Sequence, residues 1–190
     1  LIGGSHSTGM KTMTTIGMIT PGAMGASVGA AALNSGAKVI WASTGRSQAT
    51  IKRAEDAGLE DCTTLESLVT QSDIILSVCP PHNAVQVADE VLELGFDKLF
   101  VDANAIAPEL TRQIESAVVG NGARFVDGGI IGMPAWNANS GTQLYLSGTH
   151  AQTIADLFKG SNLSASMISE TIGAASALKM TFAAFTKGSI

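Results

Sequence analysis

T-T-I-G-M-I-T-P-G-A-M-G-A-S-V-G-A-A-A-L-N-S-G, running from Thr14 to Gly36, is the stretch that decides the fold. Thr14 to Thr20 is a short apolar run of strand character, and it passes through a glycine turn directly into small residues with helical tolerance, Gly22 to Ser35, which Gly36 stops. The turn T-P-G-A-M-G has the spacing of G-x-G-x-x-G, with Thr20 in the first glycine position and Gly22 and Gly25 in the second and third. In that fingerprint the glycines make the tight turn, let backbone approach a pyrophosphate and let the helix pack close to the sheet. The helix N-terminus behind it offers free N–H groups and a positive dipole end to phosphate. Taken alone, the turn is equally consistent with a strand-to-helix corner that binds nothing.

The same order repeats along the chain. Lys38 to Ala42 reads as a second strand and Ser47 to Ala57 as its helix, ending at Gly58. Cys62 to Thr64 reads as a short third strand followed by a helix over Leu65 to Thr70, and Asp73 to Val78 as a strand closed by Pro80 and Pro81. A helix over Ala84 to Leu94, a strand over Leu99 to Asp102 and a helix opened by Pro108 follow. Arg124 to Asp127 and Gln143 to Ser147 read as strands around a glycine-rich loop, and Ala174 to Lys187 as a final apolar helix. Strands alternating with helices of this length predict an α/β fold with a doubly wound parallel sheet and right-handed crossovers. Ligands of such sheets lie at the carboxyl ends of the strands. Thr20, Pro21, Gly22, Ala23 and Met24 fall there, as do Cys79, Pro80, Pro81 and Asn104.

The loop after the second strand points to a particular dinucleotide. An Asp or Glu roughly 20 residues after the glycines would hold the ribose hydroxyls of NAD. The sequence W-A-S-T-G-R-S has no acid and supplies Ser43, Thr44, Arg46 and Ser47, donors suited to a 2′-phosphate through charge-assisted hydrogen bonds. NADP is therefore the expected cofactor.

Composition excludes other classes. The 190 residues carry 11 Lys and Arg against 16 Asp and Glu, so the net charge is 11 − 16 = −5, and no basic run offers a footprint for nucleic acid or an anionic membrane. The uncharged stretch from Thr12 to Ala37 is long enough to span a bilayer, but Pro21 and its glycines break it, and a turn in mid-bilayer would leave backbone groups unpaired. Cys62 and Cys79 lie in no metal or redox spacing, and His6, His82 and His150 are too scattered for a metal site, so no metal and a reducing cytoplasm are expected. The opening L-I-G-G-S-H-S-T-G lacks the charged and apolar regions of a signal peptide. Residues 1–12 read as expression-derived or as a disordered N-terminus, with the native start at Met10 or Met13.

With these residues assembled, the chain resembles the β-hydroxyacid dehydrogenase superfamily, which includes 6-phosphogluconate and 3-hydroxyisobutyrate dehydrogenases. The likeness runs from I-G-M-I-T-P-G-A-M-G through V-D-A-N-A-I-A-P and F-V-D-G-G-I-I-G to G-A-A-S-A-L-K-M, over Thr14 to Lys187. The resemblance implies a Rossmann domain over residues 13–170 and, from residue 171 to 190, the start of a long interdomain helix leading to a helical C-terminal domain that the sequence does not contain. It implies hydride transfer between NADP(H) and a small hydroxy or imine substrate, with a lysine on that helix exchanging the proton. The family's G-x-G-x-x-x-K falls on Gly173 to Lys179, with Ala175 in place of the second glycine. A lysine among Ala177, Leu178, Met180 and Phe182 would be desolvated, which moves its pKa toward working pH. An exposed snorkelling lysine is the plainer alternative.

The sequence departs from the family at the substrate. The asparagine one turn after the lysine is Ala183, and the serine-glycine-glycine loop that holds a carboxylate falls on Ile131, Gly132 and Met133. Asn104 is a candidate replacement contact. The resemblance also implies a homodimer through the helical region. Leu178, Phe182 and Phe185, with Ala175 and Met180 beside them, are expected to form an apolar docking face. Two hydrolase patterns are present. G-A-S-V-G places Ser27 inside the first helix instead of on a sharp turn, and Ser176 to Lys179 fits S-x-x-K without its companion motifs. The remaining alternative is a nucleotide-binding module without catalysis.

Overall fold

The computed structural model describes residues 13–187. The reading of residues 1–12 lies outside them. Strand β1 (Thr15–Met18) leads into α1 (Ala23–Asn34), β2 (Lys38–Trp41) into α2 (Gln48–Asp56), and β3 (Glu60–Asp61) into α3 (Leu65–Gln71). Then come β4 (Ile74–Ser77), α4 (Ala84–Glu93), β5 (Leu99–Asp102) and α5 (Pro108–Gly120). The chain continues through β6 (Arg124–Ile131), β7 (Gln143–Ser147), α6 (Ala151–Asp156), β8 (Ser164–Ser169) and α7 (Ala174–Lys187). The strands form one eight-stranded sheet in the order β3-β2-β1-β4-β5-β6-β7-β8. The reversal beside β1 is the switch point at which ligands of doubly wound sheets bind.

Apolar side chains cover both faces of the sheet. Ile16, Met18, Val39, Leu76 and Val101 face α1 and α2, with Ala54, Ala31 and Ala32 packed on them. Ile40, Ile75, Phe100 and Phe125 face α3, α4 and α5 with Leu68, Val91 and Ile114. Two glycines are fixed by close approach. A Cβ on Gly17 would sit 2.3 Å from Ser72 Oγ, and one on Gly25 would sit 2.3 Å from Thr20 O, so neither the sheet nor the turn accepts a side chain there.

The sequence reading departs from this architecture in four places. The third strand is Glu60–Asp61, not Cys62 to Thr64, because Thr63 adopts a left-handed φ of 72° that no strand continues through. The strand after Arg124 runs on through Gly128 and Gly129 to Ile131, where a loop was expected. Those glycines serve packing: a Cβ on Gly128 would stand 3.1 Å from Ala103 Cβ, and one on Gly129 2.7 Å from Ala175 O. The sheet is not wholly parallel, since β7 pairs antiparallel with β6. Helix α6 and edge strand β8 had no signal of their own, being a six-residue helix and a half-exposed S-A-S-M-I-S. The apolar face expected on α7 is exposed at Leu178, Met180, Phe182 and Phe185, and only Ala175, fully buried against β6, is withdrawn from it. No helix among the described residues is long and apolar enough to cross a membrane.

Candidate functional site

Thr20 to Gly22 turns the chain from β1 into α1, and the Gly22 amide closes the turn on Thr20 O at 2.8 Å. The first bond back into the turn is made by the Ala26 amide to Gly22 O, which leaves the amides of Ala23, Met24 and Gly25 at the open end of the helix. No acidic side chain lies in that first turn, and a Cβ on Gly22 would meet nothing within 4 Å. The space in front of the turn is open and electropositive, which suits a pyrophosphate. Thr20 replaces the first glycine without strain, because its φ is not positive.

A cleft of about 350 Å³ opens beside this turn, lined by Ile19, Thr20, Arg46, Leu65, Cys79, Pro80, Asn83 and Glu90 among others. Apolar walls from Ile19, Leu65 and Val87 with polar ends suit a flat base. Arg46 is exposed, and its guanidinium donates to Ile19 O at 3.1 Å, which holds the charge at the mouth of the cleft. Its neighbours are partly engaged within the loop. Ser47 Oγ caps α2 by accepting from the Thr50 amide at 3.3 Å, and Thr44 Oγ1 donates to Thr63 O at 2.7 Å.

Two residues here had no sequence signal. Arg53, one turn from the end of α2, donates to Pro21 O at 3.4 Å and brings a second cation to the glycine turn. Asp61 reaches the loop from β3, accepting from the Ser43 amide at 3.2 Å and the Thr63 amide at 2.8 Å. An acid is thus present under the loop after β2, supplied by a neighbouring strand and already engaged with backbone.

A second cavity, about 160 Å³, lies at the carboxyl edge between the two halves of the sheet. It is lined by Met24, Cys79, Pro81, Asn104, Ile130 and Lys179, with Val78, Ala103 and Ala105. Residues from the glycine turn, from the loops after β4 and β5 and from α7 thus meet at one point. Lys179 is half-buried, and loss of water holds its ammonium pKa below the ordinary lysine value. Burial likewise raises the Cys79 thiol. Among the described residues lining this cavity, Lys179 is the one cation.

Asn104 is 2% exposed and works as a clasp. Its Oδ1 accepts from the Cys79 amide at 2.6 Å, and its Nδ2 donates to Ser77 Oγ and Asp102 Oδ2, each at 3.1 Å. Its side chain is therefore committed to joining the ends of β4 and β5, although its edge still lines the cavity. Ile131, Gly132 and Met133 do not line it. Gly132 turns away with a φ of 130°, and Met133 is 72% exposed. Ser27 Oγ donates to Met24 O and accepts from the Ala135 amide at 2.9 Å. It is buried as a strap for the loop after β6, which removes it as a nucleophile. Ser176 Oγ donates to Asp127 Oδ1 at 2.6 Å and is equally committed.

The strand register exposes a feature invisible in the linear sequence. Ser77, Asp102, Asp127 and Ser147 are consecutive partners across β4, β5, β6 and β7, and all four are buried. Desolvation pushes the Asp102 carboxyl up to about 7, opposed by the hydrogen bonds from Asn104 and reinforced by the charge of Asp127. Among the described residues no group of His, Cys, Asp and Glu is arranged to hold a metal ion.

Known structures share this frame. A conserved protein of unknown function, described as similar to 3-hydroxyacid dehydrogenases, superposes with a TM-score of 0.76 at 27% identity over 92% of this chain and 65% of its own. The imine reductase of Myxococcus stipitatus, solved with NADP+, gives 0.74 at 26% identity over 92% of this chain and 61% of its own. The 3-hydroxyisobutyrate dehydrogenase of Mycobacterium tuberculosis shares the fold at 0.76 with 19% identity, over 92% of this chain and 60% of its own. This chain thus spans less than two thirds of the length of these structures. No curated protein matches it at a significant level. Residues 15–169, from the first strand to the last, match the family described as the NAD binding domain of 6-phosphogluconate dehydrogenase, and the chain belongs to that family.

Proposed function

We propose that this chain is the cofactor-binding part of an NADP-dependent oxidoreductase, moving hydride between NADP(H) and a small hydroxy or imine substrate with Lys179 as general acid/base. The observation that carries the reading is the cavity where Lys179, Cys79, Pro81, Asn104 and Met24 meet, on the carboxyl edge shared with the glycine turn. In this reading the amides of Ala23 and Met24 take the pyrophosphate, Pro21 and Gly22 shape its turn, and Arg46 with Ser43, Thr44 and Ser47 takes the 2′-phosphate. The cofactor supplies a hydride donor or acceptor. A neutral Lys179 Nζ accepts the proton of the substrate hydroxyl as its carbon gives up hydride, and the ammonium returns that proton in the reverse direction. Burial lowers the Lys179 ammonium pKa, the direction that favours the neutral form this role needs. Residues 13–170 form the dinucleotide domain in this scheme, and α7 begins the connection to a second, helical domain through which a homodimer forms.

The imine reductase neighbour keeps imines among the candidate substrates, and the departures at Ala183 and at Ile131 to Met133 argue against a carboxylate held in the usual family manner. The same departures leave room for a second reading, binding of NADP(H) without turnover. The deciding experiment is NADPH oxidation against a panel of carbonyl compounds and imines, with Lys179→Met as the comparison. Proton transfer of this kind contributes about 10²- to 10⁴-fold, so the variant should lose at least a hundredfold in turnover while NADPH affinity stays within a few-fold. Full activity in the Met variant overturns the role of Lys179. Tight NADPH binding with no turnover on any substrate supports the binding module.

A further inference from the structure

The first turn of α7 rests on Asp127. We infer that Asp127 is the positioning residue of Lys179: from the interior of β6 its carboxylate grips the N-terminus of α7, and that grip decides that Lys179, one turn later, faces the cavity at the carboxyl edge. The inference rests on the Lys179 reading above and adds what holds that side chain in place.

The contacts are specific. Asp127 Oδ2 accepts from the Gly173 amide at 3.0 Å and the Ser176 amide at 3.1 Å, and Oδ1 accepts from Ser176 Oγ at 2.6 Å. Helix N-termini leave amides unpaired, and a carboxylate satisfies them with charge-assisted bonds. Here the capping carboxylate comes from a strand about 50 residues away, so it fixes the helix against the sheet as well as ending it. Ser147 of β7 completes the seat. Its Oγ donates to Asp127 Oδ2 at 2.8 Å and accepts from the Ala175 amide at 3.2 Å. Thr111 of α5 holds Ser176 Oγ at 2.8 Å from the other side.

Two residues along β6, on the same face, Gly129 supplies the second mark. Its missing side chain lets Ala175 O and Lys179 Cβ approach to positions 2.7 Å and 3.1 Å from where a Cβ would stand. Grip at residue 127 and groove at residue 129 together leave α7 one azimuth, and Lys179 follows from it. Among the described residues no carboxylate pairs with the ammonium, whose pKa is lowered by burial. Its titration therefore reports whether the helix is seated.

The test is a pulse of acetic anhydride across a pH series on the 190-residue chain, with acetylation of Lys179 read by peptide mass spectrometry. The chain should give a midpoint below the ordinary lysine value of 10.5. Asp127→Ala should raise the midpoint toward that value. Asp127→Asn, which keeps an acceptor oxygen for the amides, should stay near the parent. The sign separates positioning from direct charge: removing a carboxylate that acted on the ammonium through space would lower the midpoint. An unchanged or lowered midpoint in folded Asp127→Ala overturns the inference. If the Ala variant does not fold, Ser147→Ala decides in its place, with a smaller rise expected and no change refuting. An ordinary midpoint in the parent removes the premise about Lys179 and the inference with it, a failure distinguishable from an unresponsive Asp127.

Discussion

Replacing Asp102 by asparagine should flatten the stability of this domain against pH. Asp102 is 1% exposed in the polar row that crosses the sheet, and its carboxyl is raised from 3.8 to about 7. Burial is the largest cause, and the two donors from Asn104 work against it. A group whose folded pKa lies above its unfolded value binds a proton more readily in the folded state. Its contribution is complete below about pH 4 and is lost as pH rises through about 7. The shift of roughly 3 units at about 1.4 kcal/mol each gives an upper value near 4 kcal/mol. Between about pH 5 and 8 the loss is roughly 2.5 kcal/mol from the same linkage. Urea unfolding at several pH values, followed by the fluorescence of buried Trp41, measures it in both proteins. The asparagine changes the local hydrogen bonds by an amount independent of pH, so the difference between the two curves isolates the titration. Wild type should lose roughly 2.5 kcal/mol relative to Asp102→Asn from about pH 5 to 8. Parallel curves would refute the argument and show that water or a rearranged Asn104 keeps the carboxylate solvated.

Other expectations follow from the same geometry. Arg46→Ala should cost NADPH roughly 10- to 150-fold in affinity by calorimetric titration, the value of a charged hydrogen bond, and leave NADH near its starting value. Equal affinity of the parent for both cofactors would sink that assignment. Gly129→Ala forces a methyl to within 2.7 Å of Ala175 O, and overpacking of this kind costs about 1 to 3 kcal/mol, visible as a lowered melting temperature together with a raised Lys179 midpoint. An unshifted midpoint would show that α7 accommodates the methyl without turning. The exposed Leu178, Met180 and Phe182 predict concentration-dependent association of the 190-residue chain in light scattering, reduced by Phe182→Ser. A monodisperse parent would refute it.

Elements whose physics is local were legible from the residues alone. The run from Thr14 to Gly36 fixes a strand, a turn and a helix because apolar periodicity and glycine placement act within a few residues. The buried strands around Ile75 and Phe100 were legible for the same reason, as was α5, opened by Pro108. Lys179 was legible as a candidate through the family resemblance, which lays G-x-G-x-x-x-K over Gly173 to Lys179, whereas the neighbours expected to desolvate it, Leu178, Met180 and Phe182, are exposed. Edge strand β8 was not, since a half-exposed strand needs little apolar patterning, and Gly128 and Gly129 read as loop when they are strand residues thinned for packing. The rest depends on which strands lie side by side, and no local pattern encodes that. Register alone aligns Ser77, Asp102, Asp127 and Ser147, residues scattered over 70 positions, into one buried row. The same adjacency brings Asp61 under the loop after β2 and gives Asn104, which lines the cavity, a further part as a clasp on the Cys79 amide. It also sets Asp127 beneath α7, since a helix cap contributed by a distant strand leaves no spacing in the sequence to be read.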